Sequence, residues 1–137
     1  MGVHEQVAAV DLFSDLTPTE LDAIVHRGTK FKRAPGKVLV EEGSTDAGLQ
    51  LITNGSAHVS VGGTAVGEMS AGEYFGEISL LDGQPRSATV VAGPDGAETF
   101  AISSIAFSDL LDEHPDIARA MLKALTARIR RIEARKN

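Results

Sequence analysis

Gly72-Glu73-Tyr74-Phe75-Gly76-Glu77-Ile78-Ser79-Leu80-Leu81-Asp82-Gly83-Gln84-Pro85-Arg86-Ser87-Ala88-Thr89-Val90 sets this chain apart from other strand-rich sequences. Ile78 to Leu81 is apolar and bounded by Gly76 and Gly83, which leaves length for one helical turn. Gly76 lets a ligand approach the backbone closely. The first N–H groups of such a turn lack intrahelical acceptors and favour an anion. Arg86 opens the next strand-like run and offers a forked, permanently charged donor set suited to phosphate. Ser87 adds a hydroxyl beside it. The segment thus combines an anion site with one carboxylate, Glu77. A ligand carrying both a phosphate and a sugar hydroxyl satisfies both. In an empty site Glu77 can pair with Arg86 instead.

Outward from this segment, residues 30–102 read as short runs separated by turn residues. Phe31 opens one run and Pro35-Gly36 turns into Lys37–Val40. Gly48–Thr53 is a third run. Asn54-Gly55 is the strongest two-residue hairpin signal and predicts a reversal there. Ala57, Val59 and Val61 then alternate with His58 and Ser60, and Gly62-Gly63 turns into Thr64–Val66. Ser87–Ala92 and Glu98–Ile102 read as two further strands separated by Gly93-Pro94-Asp95-Gly96. Strands at this turn spacing predict an antiparallel sandwich or barrel.

Helices flank the strands. Residues 3–10 allow a short one. Thr17-Pro18-Thr19-Glu20 combines an N-cap, a first-turn proline and a capping box. Leu21, Ile24 and Val25 form the apolar face, and Gly28 ends the helix. Ser103 or Ser104 caps another helix with Phe107, Leu110 and Leu111 inward. Pro115 opens a last helix in which Ala118, Leu122, Leu125, Ile129 and Ile132 recur at spacings of 4, 3, 4 and 3. That stripe suits either helix pairing or packing on its own domain. Lys123, Arg128, Arg130, Arg131, Arg135 and Lys136 read as a solvated cationic face.

Composition narrows the function. The chain has 137 residues and a net charge of −6. Without cysteine, thiolate catalysis and zinc–thiolate sites are excluded. At 4% aromatics with no Trp, stacking platforms for single strands are disfavoured. The negative balance opposes a duplex-binding surface. No apolar run approaches the ~18 residues of a span, and the N-terminus lacks a signal-peptide pattern. A cytoplasmic protein with no membrane partner is expected. His4, His26, His58 and His114 share no metal-ligand spacing, and Glu41-Glu42 alternate in direction if they lie on a strand. No nucleophile elbow occurs. No enzyme, metal site or cofactor is expected.

Phe75-Gly76-Glu77-Ile78-Ser79-Leu80 followed by Arg86-Ser87-Ala88-Thr89-Val90 closely resembles the phosphate-binding cassette of the cyclic-nucleotide-binding domain family. Gly48–Ala57 resembles that family's third and fourth strands, and Leu12-Phe13-Ser14-Asp15-Leu16 its lead-in segment. The resemblance spans about residues 10–135. It implies a mainly β fold: an antiparallel, jelly-roll-like β-roll with N-terminal helices, a short cassette helix and one or two C-terminal helices. It implies that Glu77 accepts from the ribose 2′-hydroxyl and Arg86 pairs with the cyclic phosphate. Ser87 and the amides of Gly76, Ile78 and Ala88 complete the cradle beside Phe75. The base would lie against Val59 and Val66, and Ile129, Ile132 and Glu133 are lid candidates. Serine after the cassette arginine leans toward cAMP over cGMP.

A single domain is expected over 1–137: a helical segment 1–28, a β-roll 29–102 with its cassette at 75–90, and helices 103–137. Expected partners are a cyclic nucleotide and either a second copy through helix 116–135 or a downstream effector. No nucleic-acid partner is expected for this chain alone. Two other readings are a ligand-free interaction module on the same roll, and a regulatory piece of a longer channel, enzyme or transcription regulator.

Overall fold

The computed structural model describes residues 2–45 and 48–136, without the side chain of Ile78. Helix α1 (Val3–Ala8) leads through a 3-10 turn (Asp11–Phe13) to α2 (Pro18–Arg27). The capping box forms as expected. Thr17 Oγ1 accepts from the Glu20 N–H at 3.2 Å, and Glu20 Oε1 accepts from the Thr17 N–H at 2.9 Å. Gly28 ends α2 with an ordinary φ of −91°. A Cβ there would overlap the Phe100 ring, so packing, not backbone freedom, requires this glycine.

Six strands form one antiparallel sheet among the described residues: β1 (Thr29–Arg33), β2 (Val38–Val40), β3 (Gly48–Val61), β4 (Thr64–Ser70), β5 (Tyr74–Phe75) and β6 (Thr89–Ser103). The order is β1-β6-β3-β4, with β2 on β6 and β5 on β3. Cassette helix α3 (Glu77–Asp82) lies between β5 and β6. Helices α4 (Ser104–Glu113) and α5 (Pro115–Lys136) close the chain. The arrangement is the expected β-roll with flanking helices.

Two expected turns are not turns. Asn54-Gly55 lies inside the 14-residue strand β3, and Gly93–Gly96 inside the 15-residue strand β6. The two strands pair along both halves, with register shifts at Ile52/Asn54 and Gly55/Ala57. Gly55 has φ +83° and Gly96 φ +76°. A Cβ on Gly55 would overlap the Gly96 carbonyl oxygen. These glycines let both strands bend together, as bulges do, without reversing either. The true hairpin is Gly62-Gly63, where both residues have positive φ, as a type I′ turn demands.

The core has two parts. Val7, Leu12, Phe13 and Ile24 pack with Leu49, Leu51, Phe100 and Ile102 of the sheet and Phe107, Leu110, Ile117 and Met121 of the last helices. A smaller cluster of Val40, Ile52, Ala57 and Val90 lies inside the roll, with Val59, Met69 and Phe75 against it. Helix α5 is seated by Ile117, Met121 and Ala124. The stripe read from the sequence is split: Leu125 packs against the core and Ala118 is half-buried, whereas Leu122, Ile129 and Ile132 are 65%, 58% and 47% exposed. No helix among the described residues is long and apolar enough to cross a membrane.

Candidate functional site

The smaller cluster is also the wall of a cavity of about 520 Å³. Ligand pockets commonly hold about 300–1,000 Å³. Val40, Val59, Met69, Phe75 and Val90 line its apolar side, and Glu77, Ser79, Asp82, Gln84, Arg86 and Ser87 its polar side, with Ala88 next to them. The cavity therefore offers an apolar wall facing the Arg86 cation, the carboxylates of Glu77 and Asp82, and the hydroxyls of Ser79 and Ser87.

Local geometry sets each of these groups. Strand β5 pairs Tyr74 with Leu51 and Phe75 with Gln50, which delivers Gly76 and Glu77 beside Gly48. Gly76 takes φ +83° as the N-cap of α3. The Leu80 N–H donates to the Gly76 carbonyl at 2.8 Å, closing the turn. Gly83 ends α3 in the left-handed region at φ +67°. The Ser79 hydroxyl then donates to the Gln84 carbonyl at 3.1 Å, and the Gln84 N–H to Asp82 Oδ1 at 2.9 Å.

Arg86 is 7% exposed. Its N–H donates to the Ser44 carbonyl at 2.9 Å, and its carbonyl accepts from the Gly43 N–H at 2.8 Å. Its Nη1 donates to the Gly48 carbonyl at 2.5 Å. A buried guanidinium aimed along a cavity wall is an anion receptor in chemical terms. Gly76 serves this arrangement more directly than it serves a ligand. A Cβ at 76 would overlap both the Gly48 carbonyl oxygen and Arg86 Nη1.

Of the residues expected at the site, Phe75, Gly76, Glu77, Arg86, Ser87, Ala88 and Val59 line one cavity. The Ile78 backbone lies in the first turn of α3, and its side chain is outside the described residues. Val66 is 59% exposed and does not line the cavity. It belongs to β4, where the register passes from Val59/Gly67 to Ser60/Ala65 and skips Val66, and Val40, Met69 and Val90 join Val59 in the wall instead. Ile129, Ile132 and Glu133 are exposed and do not line it.

The residue of α5 that does reach the cassette is Arg128. Its Nη1 is 3.7 Å from Glu77 Oε1, while Nε and Nη2 donate to Asp11 at 3.2 and 2.7 Å. Tyr74 donates its hydroxyl to Asp11 and lies 3.3 Å from Arg128 Nη2. Burial opposes ionisation of Asp11, but hydrogen bonds from Arg128 and Tyr74 hold its carboxyl below the ordinary carboxylate range. Burial and the Asp11 carboxylate push the Tyr74 hydroxyl up to about 12. Sequence reading placed Arg128 in a solvated cationic face. The signal that locates it is the 4, 3, 4 spacing of Ile117, Met121, Ala124 and Arg128 on the face that packs against the domain.

A cavity of this make-up has the chemistry to take a small ligand with an anionic end, a hydroxyl and an apolar ring. The family model described as "Cyclic nucleotide-binding domain" matches residues 30–114, and the chain belongs to that family. It is 34% identical over 106 residues to a cGMP-dependent protein kinase of Toxoplasma gondii, covering 77% of this chain and 10% of the kinase. It is 34% identical over 102 residues to a cAMP-dependent protein kinase regulatory subunit of Hypocrea atroviridis, covering 74% and 22%. The chain thus spans under a quarter of these curated relatives. Its fold matches the N-terminal domain of a transcriptional regulator from Streptomyces coelicolor A3(2). There the TM-score is 0.85 at 23% identity, over 96% of this chain and 95% of that one.

Proposed function

We propose that residues 1–137 act as one cytoplasmic sensor domain that captures a cyclic nucleotide, cAMP in preference to cGMP, by binding and without catalysis. The supporting observation is the single cavity that joins buried Arg86, Ser87 and Glu77 to the wall of Val59 and Val90. The cyclic phosphate takes Arg86, Ser87 and the amides at the start of α3. The ribose 2′-hydroxyl donates to Glu77, and the base lies on the apolar wall. Ser87 after the arginine supports cAMP through the family resemblance.

Capture would move α3, whose Leu80 and Leu81 line a common groove with Ile105, Phe107 and Leu111 of α4. Helix α5 follows α4 directly and is the output element in this reading. Its exposed stripe of Leu122, Ile129 and Ile132 favours a second copy or an effector as the partner of that output.

Calorimetric titration of cAMP and cGMP into the wild type and Arg86→Ala tests the reading. Removing the buried cation that faces a phosphate is expected to cost about 2–5 kcal/mol, or ~30-fold and more in affinity. Tighter binding of cAMP settles the base. No heat from either nucleotide at millimolar concentration rejects the receptor and leaves the ligand-free interaction module.

A further inference from the structure

Behind Arg86 lies a second cavity, of about 330 Å³, which shares only that residue with the first. Its floor is a cross-strand row. Thr29 of β1 pairs with Ala101 of β6, and Ala101 with Gln50 of β3. Directly opposed residues share a sheet face, so this row lies opposite Leu49 and Leu51, which pack in the helical core. Phe31 and Arg33 follow Thr29 at the strand period and join the same face. The Arg33 guanidinium carbon is 5.0 Å from the centre of the Phe31 ring, and the ring is still 38% exposed. Two features point to an anion. Arg27, Arg33 and Arg86 line the cavity, and among the described residues no Asp or Glu does. Arg27 pairs with Glu113 and Arg86 donates to the Gly48 carbonyl, but the Arg33 guanidinium donates only to the Lys32 carbonyl, at 3.3 Å, among the described residues. The second feature is Gln50. It is 8% exposed, and its side-chain amide has no hydrogen-bond partner among the described residues. Buried amides are nearly always bonded, so this one is suited to a guest in the cavity it lines.

We propose that this second cavity binds a compact organic anion, a carboxylate or phosphate head on a flat apolar body. Arg33 and the Gln50 amide donate to the head. Arg27 and Arg86 add positive potential, which a cleft lined by one sign of charge concentrates. The body packs against Phe31 and Leu39. The volume sits at the small end of the range for ligand pockets, which restricts the guest to about one ring and its head group. The site stands whether or not the first cavity takes a nucleotide.

The test is an amide-resolved NMR titration of the full chain with benzoate and with phenyl phosphate, which also tells the two head groups apart. Saturable shifts at the amides of Phe31, Arg33, Gln50 and Ser103 with either anion are expected. Benzyl alcohol, which lacks the charge, and inorganic phosphate, which lacks the ring, should bind at least about tenfold more weakly. Either one binding as tightly as the aromatic anions overturns the proposed ligand class. Arg33→Gln is expected to weaken the better anion about tenfold, and Gln50→Leu about threefold. If Gln50→Leu does not fold, Arg33→Gln, at a partly exposed position, decides alone. Undiminished affinity in Arg33→Gln overturns the proposal. So does the absence of saturable shifts at tens of millimolar. Shifts confined to Glu77, Ser87 and Val90 overturn it too, by putting the anion in the first cavity. A wild type that fills the second cavity but takes no cyclic nucleotide supports the proposal and rejects only the reading of the first.

Discussion

Gly76 and Arg86 meet so closely that no side chain fits at position 76. A Cβ there would overlap Arg86 Nη1 and the Gly48 carbonyl oxygen to which Nη1 donates. The backbone at 76 also has φ +83°. Gly76→Ala is therefore expected to cost about 1–3 kcal/mol of stability and to displace the guanidinium. Urea unfolding reads the first effect and cAMP titration the second. An alanine variant equal to the wild type in both contradicts the contact.

Gly28 answers to a different constraint. Its backbone is ordinary, but a Cβ would enter the ring of Phe100, which is buried in the larger core cluster. Overpacking a filled core usually costs about 1–3 kcal/mol, so Gly28→Ala should lower the melting temperature. Trimming the obstacle in Gly28→Ala/Phe100→Leu should make the two changes less than additive. Strict additivity would place the clash elsewhere.

Tyr74 is the chain's one tyrosine, and there is no tryptophan. Phenolate absorbance therefore follows a single group. It should titrate near 12 in the folded protein, against about 10 in denaturant. The raised value stabilises the fold fully below pH 10, and that contribution is lost as pH rises through about 12. Asp11→Asn removes the anion that helps raise it, so the folded midpoint should fall toward 10. A midpoint unmoved by this substitution would mean that burial alone sets it.

Asp11 works in the opposite direction. Its folded pKa is lowered, so its contribution is present above the ordinary value of 3.8 and is lost as pH falls through the lower folded value. The stability gap between wild type and Asp11→Asn should therefore be open at neutral pH and close in acid. Thermal scans from pH 7 downward measure it. A gap that persists in strong acid would assign Asp11 a role other than its charge.

The outward stripe of α5 bears on assembly. Leu122 and Ile129 are exposed and make no part of the buried core, so Leu122→Glu/Ile129→Glu should leave monomer stability within about 0.5 kcal/mol per site. If two copies pair through this helix, the wild type sediments as a dimer and the double variant as a monomer. A monomeric wild type assigns the stripe to another partner.

The parts legible in the sequence are those decided by neighbours in the chain. The capping box at Thr17, the Gly62-Gly63 hairpin and the short cassette helix each depend on residues a few positions apart. Asn54-Gly55 carries a hairpin signal of the same local kind, yet the opposing Gly96 and Ala97 of β6 turn it into a bend. Nothing near Gly55 announces that partner. Glu77, Arg86 and Ser87 were legible because one segment carries them all. The resemblance puts Val66 at the wall, but the register shift at Val59/Ser60 falls on Val66 itself, between the pairs Val59/Gly67 and Ser60/Ala65. Arg128 reads as one of a run of solvated cations because its partners Asp11 and Tyr74 lie far from it in the chain.

Strands β3 and β6 run the full length of the roll as one bent ribbon, paired from Gly48/Ser103 to Ser60/Thr89. One end of that ribbon carries the helices and the other encloses the cavity. Neither end can be pulled open without drawing on the same rails, so the β scaffold responds to load as one mechanical piece. Assembly is correspondingly slow to begin, because these rails join residues roughly 30–55 positions apart before either half holds, and such long-range pairing delays folding.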